Sequence, residues 1–326
     1  MKTTTWKRLG LVLLIASACL LPLAVEQYRT FQFTLVLIYA IAVFGLNMLI
    51  GYNGQISLGH GAFYAIGAYT AAILMEHGAW PYWATLPAAA VVCLISGFLF
   101  GRPALRLGTI HLALATFALA LATPQLLKYR GMSRWTGSSQ GIVLDKPEAP
   151  FGLPIDADQW LYYFVLAVTL VMFLLGWNLL RGRFGRAMIA IRDHPTAAAA
   201  MGINTAYLKS MTFGISALYT GVAGALGAIV VQFVAPDSFN LFFSISLLVG
   251  VAVGGLATIA GAFYGAVFIV FVPNMADQIS KAAPWAIYGV FLIGFMYAMP
   301  TGVAGLIRLA GNWLWRRMGR KSAGER

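Results

Sequence analysis

Apolar runs of roughly twenty residues follow one another along almost the whole chain, separated by short breaks rich in Gly, Pro and charge. About twenty apolar residues in a helix cross the ~30 Å hydrocarbon layer of a bilayer. Read against the turn signals, the runs predict about ten spans, near 9–25, 31–50, 58–76, 82–100, 107–127, 160–180, 209–232, 241–257, 261–280 and 284–300. Membrane strands would instead alternate with period two over ~10 residues. The pattern therefore predicts an all-α, polytopic transmembrane helix bundle, with residues 1–326 forming a single domain.

Three stretches depart from this rhythm. Residues 51–61, 128–159 and 181–208 are polar or rich in glycine. The first interrupts two apolar runs and predicts a broken or re-entrant segment. The other two are long loops, and beyond the last span a basic tail occupies 309–326.

Composition agrees. The chain is 60% hydrophobic and only 10% charged, against about 25% charged in an ordinary soluble domain. The net charge of +12 does not indicate a nucleic-acid partner, because the basic residues gather at span ends, as the positive-inside rule requires. With the N-terminus inside and strict alternation, 16 of the 22 Lys and Arg fall inside. Only Arg29, Lys128, Arg130, Arg134, Lys146 and Lys281 fall outside. This bias predicts cytoplasmic N- and C-termini, a cytoplasmic 181–208 loop and an extracytoplasmic 128–159 loop. Lys2, Lys7 and Arg8 ahead of Leu9–Val25 resemble a signal peptide. More spans follow at once, so the segment reads as a retained first helix. Cys19 and Cys93 both lie in apolar runs and indicate neither a disulfide framework nor a metal site.

Backbone that is not hydrogen-bonded within a helix cannot face lipid; it is buried in protein or lines a water-filled path. Asn53, Gln55, Ser57 and His60 in the first break are therefore candidate pathway residues, the alternative being a tight cytoplasmic hairpin. His60 could hydrogen-bond a substrate carboxylate or act as a structural group. No histidines share metal-ligand spacing, so no metal or cofactor is expected. Gly250/Gly254 and Gly261/Gly265 have GxxxG spacing, and Gly221, Gly224 and Gly227 form a further stripe. Such residues let membrane helices approach closely.

The 181–208 loop holds a short alanine-rich segment with a start and a stop. Asp193 or His194 can cap a helix whose first turn contains Pro195. Thr196 to Ala200 continue it, and Gly202 suits a left-handed C-terminal cap. An isolated helix below ~12–15 residues is marginal in water, so this one needs a surface to hold it. Its small side chains fit a groove on a soluble partner, the alternative being a helix packed on its own membrane domain.

Four stretches give the chain a resemblance to the permeases of ABC importers, within the branched-chain amino acid permease family of LivM type. They are Gly51–Thr70 (GYNGQISLGHGAFYAIGAYT), Phe184–Asp193 (FGRAMIAIRD) running into Ala199–Asn204 (AAMGIN), Pro236–Phe239 (PDSF) and Met299–Leu306 (MPTGVAGL). The resemblance implies a bacterial inner-membrane, multi-pass importer subunit. In it 187–204 would be the loop that meets the ATPase, with Arg192, Asp193, Pro195, Ala198, Ala199 and Gly202 at the contact. Pro195 stands where family members often have Glu, so any charge contact made by that Glu is absent. The resemblance further implies cytoplasmic ATP-binding subunits, a second homologous permease, a periplasmic binding protein and surrounding lipid as partners. Branched-chain amino acids are the family's substrates, though relatives move other amino acids, urea, amides or small organic acids.

Two other classes fit less well. An ion-coupled secondary transporter usually keeps acidic groups deep in the membrane, and here Glu76 and Asp277 lie near predicted span ends. An enzyme would need a catalytic constellation. Ser57 and His60 lack an orienting carboxylate nearby, and no phosphate-cradling Gly-x-x-x-x-Gly-Lys-Ser/Thr motif is present.

Overall fold

The computed structural model describes residues 17–23, 25–104, 109–149, 155–279, 281, 284–299 and 301–308. The basic tail at 309–326 and most of the first predicted span lie outside them. Residues 17–23 are helical. The other nine predicted spans each meet a helix: α1 (Gln27–Asn47), α2 (His60–Glu76), α3 (Tyr82–Ala104), α4 (Thr109–Leu127), α6 (Ala157–Arg181), α9 (Thr205–Val231), α10 (Leu241–Gly254), α11 (Ile259–Ile279) and α12 (Pro284–Ala298). Between them lie the short α5 (Ser133–Thr136), α7 (Arg183–Asp193) and α8 (Pro195–Ala200). Among the described residues, six helical stretches are long and apolar enough to cross a membrane, and α4 and α10 contain shorter apolar ones.

Polar residues set several boundaries. Asp156 caps α6 by accepting from the Ala157 amide. Asn204 and Asn240 cap α9 and α10 by accepting from the amides of Tyr207 and Phe243. Each satisfies a donor that the first turn leaves unpaired.

The core is built around α9, which packs on α3, α2 and α1. Its glycines permit this. A methyl on Gly224 would lie 2.0 Å from the Tyr64 carbonyl oxygen, so α2 and α9 meet backbone to backbone. The GxxxG pairs face each other inside the chain. A methyl on Gly265 would lie 2.0 Å from the Gly250 oxygen, and one on Gly254 would lie 2.0 Å from that of Gly261. The peripheral helices turn apolar stripes outward: Val91, Ile95 and Leu99 on α3, and Val171, Leu174 and Leu175 on α6. These are lipid-compatible faces.

The two ends of the bundle differ. At one, strand β1 (Ile142–Val143) pairs antiparallel with β2 (Phe233–Val234). Lys128 meets Asp237 at 2.5 Å, and the ring of His77 lies 5.2 Å from that of Trp135. At the other lie α7, α8, the start of α9 and the Gly255–Thr258 turn between α10 and α11. There Arg102 and Arg181 lie over the rings of Phe98 and Trp177 at 4.8 and 3.9 Å. Such cation–π pairs suit a membrane–water interface.

Candidate functional site

The 181–208 segment is more ordered than a loop. Gly185, Met188 and Ile191 fall three residues apart and are buried, which makes α7 an amphipathic helix lying against the bundle. The residue after it, His194, breaks out of helical geometry, and Pro195 starts α8 at its first position. Proline is favoured there because that amide has no helical partner. At the far end the Gly202 amide donates to Ala199 O and the Ile203 amide to Ala198 O, with Gly202 at φ +84°. This is a Schellman stop, and the positive φ is why Gly is needed at 202. The six-residue α8 buries only Ala198. Pro195, Ala199 and Gly202 are exposed, and Met201 beside them is 83% exposed.

Arg192 and Asp193 behave differently. The Arg192 Nε donates to Asp193 Oδ1 at 2.9 Å, and its Nη1 donates to the Gly51 carbonyl at 2.7 Å. Its guanidinium thus turns toward the first break.

That break begins as a π-turn at Met48–Tyr52. It leaves helical geometry at Gly54 (φ +71°) and re-enters it at His60. Gln55 Nε2 donates to the Lys209 carbonyl, near the start of α9, whereas His60 reaches Ser216, two turns further along the same helix. The stretch therefore runs into the bundle beside α9, and Asn53, Gln55, Ser57 and His60 are all buried. Two of its backbone amides are tied off from neighbouring helices. The Leu58 amide donates to Thr116 Oγ1 and the Gly61 amide to Ser244 Oγ.

His60 is fully buried and its hydrogen bonds are directional. Ser216 Oγ donates to the Gly45 carbonyl at 2.6 Å, so toward His60 it accepts, 2.7 Å from Nε2. The proton then sits on Nε2, and Nδ1 accepts from Ser57 Oγ at 2.8 Å. Both ring nitrogens are satisfied within the chain, which is the arrangement of a structural group. Asn53 is the opposite case. It is 2% exposed, and neither side-chain polar atom has a partner among the described residues; Ser210 Oγ, one residue past Lys209, shares that condition. A buried polar group without a partner costs about 1–3 kcal/mol.

A second polar knot adjoins the first. Asn47 donates from Nδ2 to the Thr258 carbonyl at 2.8 Å and accepts the Ala257 amide on Oδ1 at 2.9 Å. It pins the α10–α11 turn to the end of α1. Gly51 lies against the same turn: a methyl there would be 2.4 Å from the Ala257 nitrogen.

The sequence profile of the family described as the branched-chain amino acid transport system permease component matches residues 29–300. The chain belongs to that family. Curated relatives agree. The high-affinity branched-chain amino acid transport system permease protein LivM of Escherichia coli is 30% identical over 94% of this permease and 77% of its own length. LivH of Salmonella typhimurium, from the same kind of system, is 25% identical over 82% of the permease and 91% of its own length. The autoinducer 2 import system permease protein LsrC of Salmonella paratyphi B is 27% identical over 65% and 62%. No solved structure matches the permease.

Sequence reasoning missed three participants in the permease's polar knots: Asn47, Ser216 and Ser244. Their partners lie 211, 156 and 183 residues away, and nothing local marks them. The α7 helix did have a signal, since Phe184, Met188 and Ile191 repeat at i, i+4 and i+7.

The unpaired state of Asn53 yields a test. An Asn53→Leu permease removes both orphaned atoms. It is expected to be as stable as the parent or more so, by about 1–3 kcal/mol, in thermal unfolding in detergent, while uptake falls. Marked destabilisation would mean that Asn53 is bonded in the resting protein.

Proposed function

We propose that this permease is one transmembrane subunit of an ABC importer in a bacterial inner membrane. Residues 1–326 form one multi-pass domain of about ten spans with both termini in the cytoplasm. The observation that carries the reading is α8: a six-residue helix, sharply started and stopped, whose small side chains are exposed except for Ala198. A helix this short has little stability of its own, and its open face fits a groove on a soluble partner. In this reading 187–204 couples to two cytoplasmic ATP-binding subunits, with Ala198, Ala199, Pro195 and Gly202 shaping the contact. A second permease of similar fold completes the path, and a periplasmic binding protein docks at the β1–β2 end. ATP-driven motion of α7 and α8 shifts the bundle between inward-open and outward-open states. The relatives named for branched-chain amino acid transport favour such amino acids, or close analogues, as cargo.

Acidic placement favours this over ion coupling. Glu76 and Asp277 are exposed and close to the ends of α2 and α11, whereas proton relays use acids held inside the bundle. Reconstitution distinguishes the two. Proteoliposomes holding the permease with its companion permease, ATPase subunits and binding protein are expected to accumulate leucine or isoleucine only with ATP. Accumulation by the permease alone under a proton or sodium gradient would overturn the proposal.

A further inference from the structure

The side chain of Arg192 does not extend toward the open face of α8. It folds back from the last turn of α7, and its Nη1 donates to the Gly51 carbonyl at 2.7 Å. That carbonyl is free to accept because the π-turn shifts the pairing beyond it. The Gly54 amide donates to Ile50 O and the Gln55 amide reaches back to Leu49 O, so neither uses Gly51. The Arg192 stem also lies on Gly54, where a methyl would be 3.0 Å from Arg192 Cγ. Two backbone positions of the break thus rest on one side chain of α7.

Gly51 and its neighbour Asn47 also touch the Gly255–Thr258 turn. Beyond Gly54 the same stretch leads through Ser57 and His60 to Ser216 on the central helix. Arg192 therefore stands where α7 meets α1, the break and the α10–α11 turn. One residue before Gly54 stands Asn53, whose buried carboxamide has no partner among the described residues. A buried group left unsatisfied in one arrangement favours another in which it finds a partner, so the break has a reason to move.

We propose that Arg192 is the positioning residue that links α7 to the buried break, through its hydrogen bond to Gly51 and its packing on Gly54, so that displacement of α7 and α8 shifts the break and the α10–α11 turn together. This rests on the importer reading above and assigns Arg192 an inward-facing task, distinct from contact with an ATPase subunit. A guanidinium offers five donors in a rigid fork, so it can hold a carbonyl while its Nε stays on Asp193. A lysine offers one compact ammonium and would hold the carbonyl less firmly.

The test uses the complete importer in proteoliposomes and reads cargo moved per ATP hydrolysed. Residues on coupling routes typically change coupling by an amount equivalent to roughly 2- to 30-fold. Arg192→Gln is expected to keep subunit assembly and ATP hydrolysis while transport per ATP falls within that range, and Arg192→Lys to recover part of it. Parallel loss of hydrolysis and bound ATPase subunits would make Arg192 a docking residue and overturn the proposal, as would an unchanged ratio. Hydrogen exchange on the unmutated complex gives a readout independent of any variant's folding. Amides of Gly54–Gly59 are expected to change protection when ATP is added, and unchanged protection would refute the link. If the unmutated permease never assembles with ATPase subunits, the importer reading itself fails, and that outcome is separate from these.

Discussion

A permease carrying Ala198→Trp and Gly202→Val together is expected to insert into the membrane normally and to lose uptake by about tenfold or more. Ala198 is the one buried residue of α8, and an indole there must lift the helix off the bundle. Overpacking of this kind costs about 1–3 kcal/mol. Gly202 sits at φ +84° with nothing within 4 Å of where a side chain would start. Valine there is not blocked by neighbours but is strained by its own backbone, at about 1–3 kcal/mol. Both changes disturb the placement of α8 and spare the membrane helices. Uptake and ATP hydrolysis measured beside membrane yield give the answer, and normal uptake at normal yield would remove α8 from the coupling role. Each single variant separates the buried contact from the helix stop.

The second large effect is expected in the His60 chain. Ser216→Ala deletes the acceptor for His60 Nε2 and the donor to the Gly45 carbonyl in one step. The buried His60 Nε2–H is then left unpaired, at about 1–3 kcal/mol, while the Gly45 carbonyl keeps the Met48 amide. The variant should unfold at a clearly lower temperature in detergent. His60→Ala should be at least as damaging, since it removes the acceptor of the Ser57 hydroxyl and empties a site beside the rings of Phe63 and Phe213. Thermal unfolding of purified protein measures both. If His60→Ala were as stable as the parent but had lost affinity for cargo, His60 would be a substrate ligand after all.

These outcomes bear on what could be read from the chain before its structure. The membrane helices were legible because each apolar run is long enough to bury its backbone in hydrogen bonds of its own. The limits of α8 were legible because Pro195 and Gly202 are among the strongest local stop and start signals. The glycine pairs on α10 and α11 announced close packing, though not that they would meet each other. What could not be read was depth and direction. His60 favoured a structural role but left a cargo role open until Ser57 and Ser216 were seen on its two nitrogens. Arg192 was expected at the ATPase contact beside Asp193, yet its Nη1 reaches 141 residues back along the chain. The α7 helix was obscured by Arg183, Arg186 and Arg192, whose charge outweighs the buried Met188 and Ile191 in any reading of overall polarity.

The polar knot at Asn47 has a consequence for how the protein is made. Its carboxamide finds its acceptor on Thr258 only after 211 further residues have been synthesised. At ~5–20 residues per second, that delay is on the order of 10–40 s. Throughout it, the nascent α1 carries an amide near the end of an apolar segment with no mate in lipid. The tie between α1 and the α10–α11 turn is therefore one that only the C-terminal half can complete.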